Sequence, residues 1–268
     1  MSDVQTVATL ADAARQMGAD SAYLGGGTVL MRDVNAGTAP SRLVRTTDPA
    51  LGEIRALGDR VVIGAGVTMA QILAHRDLDF LHPVARLIGG PQVRNMGTVG
   101  GNLFAPHPYG DFAVALLALG AQVTMAGASS GSARPIDDVL RDRERPSGLV
   151  ASVEVQRPSA GSFGFRKVSR VKPKGVSVMS IAVLAPQSGG RIQGARVAWG
   201  AMASGPVRGQ AVERALDGQS LDSTTIERAA QVATDGLSPP TDPLATSWYR
   251  QEVAGVHLRR LLQSMGGR

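Results

Sequence analysis

The sequence predicts an α+β chain in three consecutive pieces, and three observations carry that prediction. A β-loop-α-β unit opens the chain, with glycines at its strand-to-helix turn. A hairpin, helix signals and a long glycine-rich segment follow. Beyond Phe163, strands succeed one another without intervening helices, which points to an antiparallel sheet, and helices close the chain. A length of 268 residues suits one large domain or two small ones, with ample chain for a core.

In the first piece, Thr9-Leu10-Ala11-Asp12 reads as a helix start, with Thr9 as cap, Asp12 answering it and Gly18 as the stop. Ser21 to Leu24 is a short strand. Gly25-Gly26-Gly27-Thr28 then turns the chain into a helix that Thr28 can cap and that runs through Asn35 to Gly37. Leu43 to Arg45 returns as a strand. In the middle piece, Glu53 to Leu57 and Val61 to Gly64 pair around Gly58-Asp59. Thr68-Met69-Ala70-Gln71 is a capping box that starts a helix toward His75, and Pro83 to Ile88 is a further short helix. Gly89 to Gly110 reads as a loop of about 22 residues, long for a passive connection. It contains Gly97-Thr98-Val99-Gly100-Gly101-Asn102 and Pro106-His107-Pro108. Asp111 can cap the apolar helix Phe112 to Leu119; Ala121 to Met125 is a strand and Gly127 to Gly131 a turn.

The last piece carries strands at Phe163 to Val168, Val176 to Leu184 and Ile192 to Gly200, with turns at Pro173-Lys174-Gly175 and Ser188-Gly189-Gly190. Helices follow at Gln210 to Leu216, Thr224 to Thr234 and Trp248 to Leu262, the last after an extended linker, Pro239 to Pro243. No internal repeat is visible.

Composition excludes several classes. The absence of cysteine rules out disulfides, thiolate metal sites and iron–sulfur ligation within this chain. His75, His82, His107 and His257 do not fall at metal-ligand spacing. The start MSDVQTVATL has no secretory pattern, and the longest apolar run, Phe112 to Leu119, is too short to span a bilayer, so the expected location is the cytoplasm. The net charge is +6, and no acidic residue lies between Glu154 and Glu213. That stretch holds Arg157, Arg166, Lys167, Arg170, Lys172, Lys174, Arg191, Arg196 and Arg208, which reads as a solvated face ahead of a partner surface. Phe163 and Phe165 are its only phenylalanines and no recognition helix accompanies them, so nucleic acid is not an expected partner.

Both glycine segments lie where a backbone approaches something closely. Gly25 to Thr28 precedes a helix, where free N–H groups and the helix dipole favour an anion; as a bare glycine run it is also an ordinary tight turn. It matches neither G-x-G-x-x-G nor a P-loop. In the second segment Gly100-Gly101 permits close approach and Asn102 can donate and accept, with Arg94 and Asn95 just before. Asp111 suffices as a helix cap, or as an acceptor for ribose or ribityl hydroxyls. His107 has no nucleophile or carboxylate near it in sequence, and no nucleophile elbow or paired carboxylates appear, so any chemistry would come from a bound cofactor.

Taken together, these segments resemble the FAD-binding medium subunit of the molybdenum hydroxylases, the family of xanthine dehydrogenase and carbon monoxide dehydrogenase. The resemblance rests on Tyr23-Leu24-Gly25-Gly26-Gly27-Thr28-Val29-Leu30, on Val62 to Thr68 and on Gly89 to Leu103, the last ending in Gly-Gly-Asn with Asp111 nine residues on. Phe112 to Val123, Phe165 to Val183, Ala201 to Leu216 and Tyr249 to Leu262 continue it.

The resemblance implies a p-cresol methylhydroxylase-type FAD-binding domain of two α/β subdomains, about 1–48 and 49–160, and a C-terminal domain at 161–268 with a three-stranded antiparallel sheet and helices. It implies that Leu24 to Leu30 meet the FAD, with Gly25 to Thr28 on its pyrophosphate. Thr98, Gly100, Gly101 and Asn102 would reach the phosphate and flavin ends, Asp111 would meet the cofactor, and Lys174 would approach it from the basic run. The FAD would be non-covalent. Molybdenum cofactor and 2Fe-2S clusters would sit on a large and a small partner subunit, in a dimer of heterotrimers. Electrons would pass from the clusters through FAD to an external acceptor. A stand-alone FAD oxidase or dehydrogenase and a non-enzymatic scaffold are the rival readings. The sequence departs from the family at Gly25, where Ala or Val is usual, and at Val29, where Asp is common. His107-Pro108-Tyr109-Gly110-Asp111 replaces Asp-Pro-Ala-Ala-Asp, which puts an imidazole and a phenol where small residues are common.

Overall fold

Each piece of the chain builds its own main sheet, and the last adds a two-stranded one. The computed structural model describes residues 2–126, 132–144, 146–171 and 175–266. The predicted turn at Gly127, Pro173 of the second turn, Lys172 and the candidate Lys174 lie outside the described residues.

The first piece runs β1 (Asp3–Val7), α1 (Leu10–Gln16), β2 (Ser21–Tyr23), α2 (Leu30–Ala36) and β3 (Arg42–Thr46). Its three strands are parallel in the order β1-β3-β2, and the middle strand buries Leu43 and Val44. Thr9 caps α1 as expected, its hydroxyl accepting from the Asp12 amide at 3.1 Å. Strand β1 has no signal in the sequence, because Val4 is exposed and the segment carries no apolar alternation. Thr28 does not cap α2. The chain needs Thr28 and Val29 to complete the turn, so Val29 takes the cap position, without a side-chain bond. The helix ends at Gly37, whose φ of 72° is the left-handed stop expected of glycine.

The middle piece runs β4 (Ile54–Leu57), β5 (Arg60–Gly64), α3 (Met69–Ala74), α4 (His82–Ala85), α5 (Pro91–Met96), α6 (Val99–Leu103), α7 (Asp111–Ala118), β6 (Gln122–Met125), β7 (Arg134–Pro135), α8 (Ile136–Arg141) and β8 (Val150–Gln156). The sheet order is β4-β5-β8-β6-β7 and every pairing is antiparallel, so this piece lacks the parallel sheet of an α/β subdomain. Its central strand, β8, was not legible in sequence. A register shift opposite Thr124 and Met125 breaks the alternation, so Val150, Val153 and Val155 all face inward. The expected loop from Gly89 to Gly110 contains two helices. Pro91 occupies the first turn of α5, and Thr98 caps α6 by accepting from the Gly101 amide at 3.1 Å.

The last piece runs β9 (Phe163–Val168), β10 (Met179–Leu184), β11 (Gln187–Ser188), β12 (Arg191–Ile192), β13 (Arg196–Gly200), β14 (Val207–Arg208), α9 (Gln210–Leu216), α10 (Ser223–Gln231) and α11 (Ser247–Gly266). The sheet is antiparallel in the order β14-β13-β10-β9. It therefore has four strands rather than three; Val207–Arg208 is too short to show a period of two. The predicted strand Ile192 to Gly200 is split, because Gly194 turns at a φ of 69°.

Helix α7 joins the middle and last pieces. All of its residues are buried, and it packs on β10 and β13. Ala182 and Ala198 of those strands share its core, and a Cβ on Gly200 would lie 2.8 Å from a Val114 methyl. A second core fills the space between the last sheet and α9, α10 and α11 around Trp199. The acid-free basic stretch is largely not a solvated face. Arg157 pairs with Asp77, Arg196 and Arg208 meet Asp137 of α8 at 2.9 and 3.1 Å, and Lys167 meets Asp111 at 2.9 Å. Lys167, Arg196 and Arg208 join the last piece to the middle one, whereas Arg157 pairs within the middle piece. Phe112→Ala should destabilise the protein by about 3–5 kcal/mol in urea unfolding, since the site is closed on all sides and cannot collapse.

Candidate cofactor site

The two glycine segments touch each other. A Cβ on Gly26 would fall 1.7 Å from the Met96 carbonyl oxygen, and one on Gly25 would fall 3.2 Å from the Thr98 hydroxyl. The second segment is in turn fixed to the chain that leaves β5. The Met69 amide donates to Gly97 at 3.0 Å, Val99 to Val67 at 2.9 Å and Gly100 to Ala65 at 2.8 Å. Gly100 has no room for a side chain, because Ala65 Cβ would be 2.9 Å away. Part of the glycine requirement is therefore protein against protein, which spacing alone does not reveal. Arg94 braces the turn before α5 by donating to the Gly89 carbonyl at 2.7 Å.

Between these segments, the long loop and the last sheet lies a cavity of about 770 Å³, within the range of cofactor pockets. Gly25 to Leu30, Thr98, Gly100, Gly101, Asn102 and Asp111 all line it. Leu24 does not; its amide donates to Val44 at 2.7 Å and prolongs the pairing of β2. Among the described residues, the amides of Gly25 to Val29 donate no hydrogen bond within the chain. A run of free main-chain donors along a cavity wall is suited to an anionic ligand.

Asp111 is not the cap of α7. Gly110 holds that position at a φ of 98°, and Asn102 supplies the missing cap by accepting from the Ala113 amide at 3.1 Å. The Asp111 carboxylate, buried, receives Lys167 Nζ at 2.9 Å and the Ser177 hydroxyl at 2.7 and 2.9 Å. Lys167 also donates to the Leu87 carbonyl at 3.0 Å, and lines the cavity. The basic run thus delivers Lys167 to the site, although its place in β9 gave no signal beyond charge.

Arg32 and Arg143 line the cavity without having been candidates, and Tyr109, the phenol where the family carries small residues, lines it too. Arg32 of α2 donates to the Tyr109 hydroxyl and lies 5.3 Å from the centre of the Tyr109 ring, so the two span the cavity from separate pieces. Arg143, after α8, donates to the Ala105 carbonyl at 2.5 Å. Its burial holds the guanidinium below the usual arginine range, against the opposing influence of Glu144.

His107 does have a carboxylate partner, from 135 residues away: its Nε2 is 2.5 Å from Asp242 Oδ2. Asp242 also accepts from the fully buried Arg250 at 2.7 Å and from the amides of Leu244 and Ala245. Burial alone would raise the Asp242 carboxyl, but the bonds from His107, these amides and Arg250 outweigh it and hold it at about 2. The imidazole fastens the loop at the cavity to the linker before α11; it does not line the main cavity.

A cavity walled by free amides and cations, on a fold of one parallel and three antiparallel sheets, defines a protein that holds a large anionic cofactor. The chain matches the FAD binding domain in molybdopterin dehydrogenase over residues 1–158 and the CO dehydrogenase flavoprotein C-terminal domain over 164–265. It is 30% identical over 204 residues to the glyceraldehyde dehydrogenase medium chain of Sulfolobus acidocaldarius, covering 73% of this chain and 72% of that one. It is 28% identical to the carbon monoxide dehydrogenase medium chain of Afipia carboxidovorans, covering 92% and 90%. Its fold superposes on a carbon monoxide dehydrogenase structure from Hydrogenophaga pseudoflava with a TM-score of 0.90 at 25% identity, covering 99% of this chain and 97% of that one. The chain belongs to the family of FAD-binding medium chains of molybdenum hydroxylase-type dehydrogenases, and is the flavin subunit of an oxidoreductase.

Lys167→Met should cost about 3–5 kcal/mol, because it leaves a buried carboxylate with only Ser177. Adding Asp111→Asn should recover part of that loss in the same denaturant titration. Asp242 has a folded value below its ordinary 3.8, so its contribution of about 2 kcal/mol is present above that value and lost as pH falls through about 2. Asp242→Asn should remove this portion of the acid limb between about pH 4 and 2, read from unfolding free energies against pH.

Proposed function

We propose that this chain carries FAD within a multisubunit molybdenum hydroxylase, receiving electrons from iron–sulfur clusters on a small subunit and passing them to an external acceptor. The observation that carries the reading is one cavity holding both glycine segments, the free amides of Gly25 to Val29, and Arg32, Arg143 and Lys167. FAD supplies the ability to take electrons singly and release them in pairs.

The residues have separate tasks in this reading. The Gly25 to Val29 amides receive the diphosphate, helped by the Thr28 hydroxyl. Thr98, Gly100, Gly101 and Asn102 form the facing wall, held at fixed distance by the bonds of Gly100 to Ala65, Val99 to Val67 and Asn102 to the start of α7. Asp111 with Lys167 and Ser177 presents a rigid polar edge at the junction with the last sheet. Arg32 and Tyr109 close the cavity across its two walls. The chain binds, orients and tunes, and no side chain is assigned a proton transfer.

A chain without cysteine leaves the clusters to a partner, and the molybdenum cofactor to a large subunit. The assembly we propose is a dimer of such heterotrimers in the cytoplasm. No helix among the described residues is long and apolar enough to cross a membrane.

The test is release of the chromophore by heat from the purified full chain, with iron and molybdenum assays on the complex isolated through it. FAD in the chain with both metals in the complex is the expected result. A colourless chain from a complex containing both metals would remove the flavin role. Gly26→Ala should lower FAD affinity by about tenfold or more in a fluorescence titration. Its Cβ forces the two glycine segments apart, and a 1 Å misplacement is costly at a built site.

A further inference from the structure

Arg143 is a partly buried cation at the cavity wall that forms no ion pair, unlike several other arginines of the fold. Arg157, Arg196, Arg208 and Arg250 each meet an Asp or Glu. Arg143 forms no ion pair among the described residues; Glu144 acts on it only as a neighbouring charge, and its one hydrogen bond goes to the Ala105 carbonyl. Asp111, which shares the adjoining crevice with Arg143, is committed to Lys167 and Ser177. Retaining an unpaired, partly buried guanidinium is costly unless something else supplies the opposite charge.

Its placement is built. The guanidinium lies between the Ala105 carbonyl on one side and Gly205 on the other, where a Cβ would approach Arg143 Nη1 to 2.9 Å. The bare backbone at Gly205 leaves space for the side chain. Arg143 lines both the main cavity and the small adjoining crevice formed by His107, Tyr109, Asp111, Ser177 and the segment from Gly200 to Pro206. It therefore stands where the middle piece, the last sheet and the cofactor cavity meet.

We infer that Arg143 is the counter-charge for an anionic group of the bound cofactor, an inference that rests on the FAD reading. The depressed basicity of the free guanidinium fits a site completed by its ligand. FAD offers two such groups. The diphosphate is always anionic. The ring gains one negative charge when it takes up two electrons and one proton. Both present oxygen or nitrogen acceptors to a guanidinium, and a charge-assisted pair of this kind is the strong class of hydrogen bond.

The experiment compares wild type, Arg143→Met, Arg143→Lys and Gly205→Ala as full chains. FAD and riboflavin affinities are measured by fluorescence titration, and the midpoint potential by dye-equilibrated reduction. If the diphosphate is the partner, Arg143→Met weakens FAD about ten- to a hundredfold and leaves riboflavin unchanged. If the reduced ring is the partner, oxidised FAD binds within about twofold of wild type, while the preference for the reduced form falls about tenfold. That is a shift of about 30 mV to more negative potential. In either case Arg143→Lys retains most of the effect, and Gly205→Ala, which displaces the guanidinium without removing it, changes the same quantity less. FAD and riboflavin weakening together at unchanged potential would mark Arg143 as a structural brace and overturn the inference, as would no change in any quantity. Failure of wild type to bind FAD would instead remove the reading beneath it.

Discussion

The contact between Asp111, Lys167 and Ser177 is the constraint on which the rest of the molecule depends. Asp111 begins the fully buried helix of the middle piece, and Lys167 and Ser177 come from the last piece. A buried carboxylate tolerates burial only with a cation and a donor at hydrogen-bond distance. That requirement fixes the rotation of α7 against the last sheet, and small residues at Ala182, Ala198 and Gly200 permit the approach. The same carboxylate forms part of the cavity wall. Packing between the pieces and the shape of the site are therefore one problem, solved at one group.

Asn102 extends this coupling in the other direction. It lies on the second glycine segment, and its side chain replaces the cap that Gly110 cannot provide to α7. The second segment in turn rests against Gly26 of the first and is bonded to the chain leaving β5. A displacement in either glycine segment would reach α7 through one hydrogen bond. The rigidity needed to hold a long cofactor follows from this chain of contacts rather than from any single loop.

The legible parts of the sequence were those with local causes. Thr9, the Thr68–Gln71 capping box, the hairpin at Gly58 and the helix at Gln210–Leu216 each declare themselves within a few residues. The glycine segments were legible as sites of close approach, and their lining of one cavity agrees with that. What was not legible depended on distant partners. The bulge in β8 hides its alternation, and Val207–Arg208 is a strand only because β13 lies beside it. Asp242 is far from His107 in sequence, and Lys167 looked like one more surface cation until β9 paired with β10. The absence of acids between Glu154 and Glu213 had suggested a solvated face. Part of that charge is satisfied by acids of the middle piece, at Asp111 and Asp137 for the cations of the last piece and at Asp77 for Arg157.

That distribution gives Arg143 its meaning. A chain that routes its cations across piece boundaries to find carboxylates has the means to neutralise this one as well, and Asp111 is a neighbour in the same crevice. Pairing Asp111 with Arg143 would leave Lys167 unpaired and loosen α7 from the last sheet. The structure keeps the buried pair and leaves the guanidinium at the cavity without an ion-pair partner. Internal pairing serves the fold, and the remaining positive charge sits where the wall meets the ligand. An electron carrier whose net charge changes on reduction benefits from such a residue, because a fixed cation distinguishes the two redox states where a neutral wall would not.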